Sequence, residues 1–431
     1  MTRLPRIVRM LQPLVRVGAA TAVAAVLGWL ALVAVARILG AERYAEFSVL
    51  WGFYFALGGL LFGLQQEVTR TVGSHEHPIE ETPPPPGSPV INGVALVTVP
   101  GVVLLIVSAP WWASELFGDD PWPTVVATVV GLASLAVQAT IMGVAGARRQ
   151  LGLFSGMVTV AAVARLLVIV VVCQTTASTA GLMWGIASGS AIWLLFLPST
   201  RIRHAIEAIG DAATVPFVAR ATSTMVASAC AALLATGFPF MVRATSEGQL
   251  GAEAGVLFAA VLATRAPLLL PLTGFQLVII GYFVRHRAHL TRALPKIVSL
   301  VLALGVVAGL LATVIGPFLL ELLFGDDFVI EGRVLGLLAF AAALLVLLTV
   351  TGVALLALQR HISSMFGWVV ATVVAQAVLF LPLTLTQRCV LALCLGPITG
   401  VALHIVQLVR RTAPLETSDE PAAEVTITPP A

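Results

Sequence analysis

Two arginines stand inside long apolar stretches, Arg165 in Val163-Ala-Arg-Leu-Leu and Arg265 in Ala263-Thr-Arg-Ala-Pro. A charge in hydrocarbon costs ~2.5–3.5 kcal/mol even on a lenient scale, so each needs a partner or a water-filled cavity. No Asp or Glu falls at the same depth in any apolar stretch. The missing anion can come from a ligand, and a planar guanidinium matches the oxygens of a pyrophosphate. The competing reading is that both side chains snorkel or bond helix carbonyls as packing contacts. Pro267 and Pro271 follow Arg265 closely. They predict a broken helix with free carbonyls beside the charge, and a hinge.

Weaker candidates surround this pair. Arg37 closes the first apolar stretch, where an interfacial anchor or a pairing with Glu42 competes with a lumen role. Gln65 and Gln276 recur by internal repetition and are expected in a lumen or at a hinge. Gln376 occupies the repeat position of Arg165. Glu67 and Arg70 read as an i,i+3 ion pair, and His404 as a satisfied packing residue. Arg220 with Thr222, Ser223 and Thr224 reads as helix packing. No Ser/His/Asp set, metal-ligand cluster or phosphate-binding glycine loop is present, so neither catalytic nor metal-binding residues are assigned and no cofactor is expected. The four cysteines lie in or beside apolar runs and read as buried apolar residues.

The elements that must position these residues are membrane spans. Of 431 residues, 59% are hydrophobic and 10% charged, against roughly 25% charged in soluble domains. Lipid offers no partner to a backbone amide, so only helices or closed barrels cross it. The runs are unbroken and lack period-two alternation, which excludes a barrel. Twelve spans are predicted: 15–38, 45–69, 90–110, 124–147, 151–173, 180–197, 217–242, 254–284, 294–318, 333–358, 363–385 and 390–409. Between the second and third lies Pro83-Pro84-Pro85-Pro86, a stiff polyproline spacer. The first span follows Arg3, Arg6, Arg9 and Arg16, and is too long for a cleaved signal. Seventeen of the 24 Lys and Arg residues fall on the face shared by the termini, five on the opposite face and two within spans. The positive-inside rule therefore makes both termini cytoplasmic. The net charge of +3 is too small to argue for nucleic acid.

The chain repeats itself. Leu39-Gly-Ala-Glu42 recurs as Leu250-Gly-Ala-Glu253, and at the same offset Phe47 matches Phe258, Gly63-x-Gln65 matches Gly274-x-Gln276, and Gly156 matches Gly367. Nearby, Leu116-Phe-Gly-Asp-Asp120 echoes Leu323-Phe-Gly-Asp-Asp327. Six spans per repeat make the halves parallel, an arrangement of transporters with a central site. The expected division is an N-lobe 1–198, a cytoplasmic linker 199–215, a C-lobe 216–411 and a disordered acidic tail 412–431.

The segment Ala36-Arg-Ile-Leu-Gly-Ala-Glu-Arg-Tyr-Ala-Glu-Phe47 resembles the turn between the first two spans of polysaccharide flippases. Leu250-Gly-Ala-Glu-Ala-Gly-Val-Leu-Phe258 resembles its second-half counterpart, and the two Phe-Gly-Asp-Asp loops are similar to outer loops of that family. Together they resemble the MOP superfamily, which includes Wzx-type O-antigen and exopolysaccharide flippases, lipid II flippases and MATE exporters. The resemblance implies an all-α bundle of about twelve helices in two pseudo-symmetric lobes, in the bacterial cytoplasmic membrane. Its expected work is alternating-access flipping of a polyprenyl-pyrophosphate-linked saccharide from the inner to the outer leaflet. The implied partners are that anionic cargo, membrane lipids and envelope glycan assembly enzymes. A MATE-like exporter of cationic drugs is the alternative, although central carboxylates are missing. A membrane glycosyltransferase or polymerase, using Asp119-Asp120 or Asp326-Asp327, lacks a large outer loop to hold an acceptor, and no enzymatic activity is expected.

Overall fold

The computed structural model describes residues 4–76, 87–211, 213–248, 250–266, 290–358 and 360–409. Helices follow from a backbone that must satisfy itself within lipid. They are α1 (Leu4–Glu76), α2 (Val90–Phe117), α3 (Trp122–Ala147), α4 (Leu151–Thr175), α5 (Thr179–Ser188) and α6 (Thr200–Ile206). The second half supplies α7 (Thr214–Ala235), α8 (Phe238–Arg243), α9 (252–266), α10 (Leu290–Phe324), α11 (Gly332–Ala357), α12 (His361–Leu379) and α13 (Leu385–Val409). Among the described residues no strand forms beyond one isolated bridge, Pro89 with Ile209. Among the described residues, ten helices are long and apolar enough to cross a membrane. The first of them holds two spans, and α9 reaches the edge of the described residues at 266. The chain is therefore an all-α polytopic membrane protein, as its composition requires. The polyproline spacer, Pro267, Pro271, Gln276 and the acidic tail lie outside the described residues.

Local chemistry sets where spans end. Helix α1 turns back at Gly40, whose φ of 75° lies in the left-handed region that glycine alone adopts without cost. Both Phe-Gly-Asp-Asp repeats are helix C-caps of one kind. Gly118 (φ 87°) donates to the Ser114 carbonyl and ends α2; Gly325 (φ 114°) donates to the Glu321 carbonyl and ends α10. The repeat in sequence is thus a repeat in backbone geometry at this pair. The Leu-Gly-Ala-Glu pair behaves otherwise: positive φ falls on Gly40 in the first copy but on Gly248, ahead of Gly251, near the second.

The basic face, where α4 begins and α13 ends, and the opposite far face hold the two halves together by different means. At the far face the contacts are aromatic. Tyr44 meets Phe324 and Phe328 edge-on, and Trp29 meets Phe324. Phe53 packs against Trp112, Phe117 and Phe240. Between the faces the second arm of α1 lies directly on α7. A Cβ added to Gly63 would stand 2.5 Å from the Cα of Met225. At the basic face the contacts are ionic. Arg70 and Arg220 both bond Glu67 and Asp211, at 2.7–3.3 Å. The strip before α7 is stapled there by Val90 N–H to Ala208 O and Gly210 N–H to Ser88 O. Burial raises the Asp211 carboxyl, but the Thr71 hydroxyl and the guanidiniums of Arg70 and Arg220 together hold it below the ordinary carboxylate range. Helices α2 and α10 leave most of their apolar surface outward, the side expected to face lipid.

Candidate functional site

Arg165 on α4 and Arg265 on α9 line one cavity of about 320 Å3. Its walls also include Trp29, Tyr44, Ser48, Trp51 and Phe55 from α1 and Phe258 from α9. Neither arginine has a carboxylate partner among the described residues, and no Asp or Glu lines the cavity. Both sit instead against carbonyls and aromatic faces. Arg165 Nε donates to the Ile186 carbonyl at 2.9 Å, and its guanidinium lies 5.0 Å from the Phe55 ring centre and 6.0 Å from that of Trp51. Arg265 Nη1 donates to the Ala235 carbonyl at 2.8 Å and lies 5.7 Å from the Phe238 ring centre. Each guanidinium thus engages one of its ~five N–H donors and keeps its charge uncompensated by any acid.

The chain makes those two carbonyls available. Helix α5 tightens after Ser188 into the 3-10 segment Gly189–Phe196, which disturbs the i→i+4 ladder at its end. Arg165 takes the Ile186 carbonyl, while the Ser190 hydroxyl takes those of Ala187 and Gly131. With its amide nitrogen turned inward, Gln138 donates to the Gly189 and Ser190 carbonyls. At the other arginine the cause is Pro239. An α-helix continued from α7 would bond the Ala235 carbonyl to the N–H of residue 239, and proline has none. Arg265 fills the vacancy. The break in the seventh span therefore falls at Thr236–Gly237, before Pro239 opens α8.

A second, larger cavity of about 580 Å3 lies toward the basic face, between α1 and α3 on one side and α7, α11 and α12 on the other. Phe55, Ala235 and Thr236 line both cavities, so the two adjoin where the seventh span breaks. Gln65 lines the larger one. The remaining sequence candidates go elsewhere. Arg37 donates to the Leu323 carbonyl at 2.9 Å and to that of Leu322, capping the end of α10 at the far face. Gln376 reaches the Met241 carbonyl at 3.5 Å and lines neither cavity. Glu67 and Arg70 do pair at i,i+3, within a larger network that also recruits Arg220 and Asp211. His404 is fully buried between the Thr351 hydroxyl (2.9 Å) and the Ser364 carbonyl (3.1 Å), a packing role. All four cysteines are free thiols, and no group able to hold a metal occurs among the described residues.

Neither the aromatic wall nor the break-forming Pro239 is among the residues expected from the sequence. Trp51 and Phe55 are four residues apart on α1, a spacing that places both on one helix face, but aromatic residues at that spacing usually mark core. Pro239 could have been weighed beside Pro267 and Pro271, since it too interrupts a span.

No family model matches the chain. It is 37% identical over 410 residues to the uncharacterized protein Rv1510 of Mycobacterium tuberculosis, and 33% over 407 residues to the uncharacterized protein Rv3630 of the same organism. Each alignment covers 92% of this chain and 91% of the relative. Among solved structures, the lipid II flippase MurJ in an inward closed conformation superposes with a TM-score of 0.63 at 14% identity, covering 91% of this chain and 87% of that one. The MATE multidrug transporter DinF-BH in complex with R6G superposes with a TM-score of 0.60 at 15% identity, covering 94% and 96%. At such identities the likeness concerns the fold, which is that of MOP superfamily transporters.

Proposed function

As this chain belongs to the family of the mycobacterial proteins Rv1510 and Rv3630 and has the fold of MOP superfamily transporters, we propose that it flips a polyprenyl-pyrophosphate-linked saccharide across the bacterial cytoplasmic membrane by alternating access. One observation carries this reading: Arg165 and Arg265, far apart in sequence, line one cavity with no acid beside them. A cavity of that sign attracts anions and repels cations. The pyrophosphate binds the free N–H donors of both guanidiniums, which are held in place by carbonyls and ring faces and so lose little freedom on binding. The lipid chain stays in the bilayer.

The lobes are residues 1–198 and 216–411, joined by 199–215 and followed by the tail 412–431, with both termini cytoplasmic. In this arrangement the basic face is cytoplasmic and the larger cavity lies on the loading side. Aromatic contacts close the far face. Release outward requires those rings to part. The expected partners beyond the cargo are membrane lipids and the enzymes that assemble envelope glycans. The protein acts as a transporter, with no bond made or broken.

The test is a lipid extract of cells lacking the protein, read by mass spectrometry. Accumulation of one polyprenyl-pyrophosphate-linked glycan is expected, and it identifies the cargo. An unchanged pool of such lipids overturns the reading. Export of a cationic compound, the MATE-like alternative, would fit that outcome, though among the described residues no carboxylate lines either cavity.

A further inference from the structure

The larger cavity has a chemistry of its own. Among the described residues its lining holds no Asp, Glu, Lys or Arg, and one histidine, His361. Glu67, Arg70, Asp211 and Arg220, at the basic face, are two acids and two bases already bonded to one another. Five polar side chains on its walls have no hydrogen-bond partner among the described residues: the Gln65 and Gln66 amides, the Ser228 and Ser364 hydroxyls and the Trp368 indole N–H. Ser364 is only 3% exposed and lines the cavity. Trp368 Nε1 and Ser364 Oγ converge on one point, 3.2 and 3.3 Å from where a Cβ on Gly352 would stand. His404 Cε1 stands 3.4 Å from the same point, so glycine at 352 is what lets the three side chains crowd together there. The two glutamines present their amides from the opposite wall, on α1. Around these groups run Gly58, Gly59 and Ala231, small residues that add no polar group of their own side chains to the lining.

Unpartnered neutral donors and acceptors facing a void match a ligand rich in hydroxyls and poor in charge. The volume, about 580 Å3, falls within the range of ligand sites. We propose that this cavity is the saccharide compartment and that it selects an uncharged glycan, with Trp368, Ser364, Gln65 and Gln66 as its hydrogen-bonding groups. The inference rests on the flippase reading, because it needs the pyrophosphate to sit in the adjoining arginine cavity across Phe55, Ala235 and Thr236. Anion and glycan are thereby read by separate walls. A carrier lacking the sugar leaves the neutral groups unpaired, and a glycan bearing a carboxylate brings a charge to a place where the described lining offers no Lys or Arg.

The experiment measures binding to the purified full-length protein in detergent with three probes: polyprenyl pyrophosphate alone, the same carrier bearing a neutral trisaccharide, and one whose trisaccharide contains a uronic acid. The wild type is expected to bind the neutral glycolipid most tightly. Trp368→Phe and Ser364→Ala should each weaken its binding about fivefold, as loss of one hydrogen bond does, while leaving the bare carrier unaffected. Arg165→Ala should weaken all three probes alike. If either variant lowers thermal stability, the Gln65→Leu/Gln66→Leu double variant on the opposite wall carries the same expectation. Equal wild-type affinity for glycosylated and bare carriers overturns the compartment, as does undiminished preference in the variants. Equal binding of the uronate probe overturns the selection for neutral sugars. Failure of the wild type to bind any of the three overturns the flippase reading itself, and the compartment with it.

Discussion

An arginine in hydrocarbon must be answered by an acid, a dipole or a ligand, and Arg165 and Arg265 are answered by dipoles only in part. One carbonyl each and the faces of Phe55, Trp51 and Phe238 steady the guanidiniums without neutralising them. Arg165→Ala or Arg265→Ala is therefore expected to lower carrier flipping in proteoliposomes by about a hundredfold, the scale of removing one partner of a desolvated charge contact. Unchanged thermal unfolding would separate this from misfolding, and wild-type flipping in both would remove the assignment. Lysine should not rescue either position, since an ammonium cannot make the planar two-point contact. Pro239 offers a sharper test of how Arg265 is held. Pro239→Ala supplies an N–H that can close on the Ala235 carbonyl and displace Arg265. Carrier affinity should fall several-fold while thermal stability holds or rises.

At the scale of elements, the two halves meet through small residues in the middle and charges at the basic face. Gly63 lets α1 and α7 approach until backbones touch. Gly63→Leu must push them apart, and a loss of about 1–3 kcal/mol is expected, read as a lowered unfolding temperature in detergent. The ionic network has a different signature. Because the Asp211 carboxyl is held below its ordinary range, its contribution is fully present above that range and is lost as pH falls through the lowered value. Asp211→Asn should therefore lower the unfolding temperature by a constant amount from pH 8 to pH 5. The difference from wild type should shrink below about pH 4. A difference that persisted in acid would assign Asp211 a packing role instead.

For the molecule as a whole, alternating access requires one face to open as the other closes. The far face is closed here by Trp29, Tyr44, Phe324 and Phe328. Cysteines replacing Trp29 and Phe324, in a background freed of the four native thiols, should arrest flipping when bridged and restore it on reduction. Flipping that continued through the bridge would exclude movement at that face. Orientation is tested on intact cells. A cysteine at Glu247, in a far-face turn, should react with an impermeant maleimide, and one at Glu207 only after permeabilisation.

Much of this was legible in the chain itself. Composition required helices, because lipid satisfies no backbone amide. The spans followed from the apolar runs, although the break at Pro239 inside 217–242 did not, and both Phe-Gly-Asp-Asp caps could be read from their repetition. Arg165 and Arg265 stood out because charge in an apolar run is costly wherever it folds. Tertiary structure decided the rest. It brought those two arginines to one cavity and sent Arg37 to the end of α10 and Gln376 to a carbonyl outside both cavities. It also left Ser364 and Trp368 unpaired beside Gly352. The physical reason is that burial cost belongs to a residue and its immediate neighbours in sequence. Which carbonyl, ring or void meets a side chain depends instead on how helices distant in sequence cross.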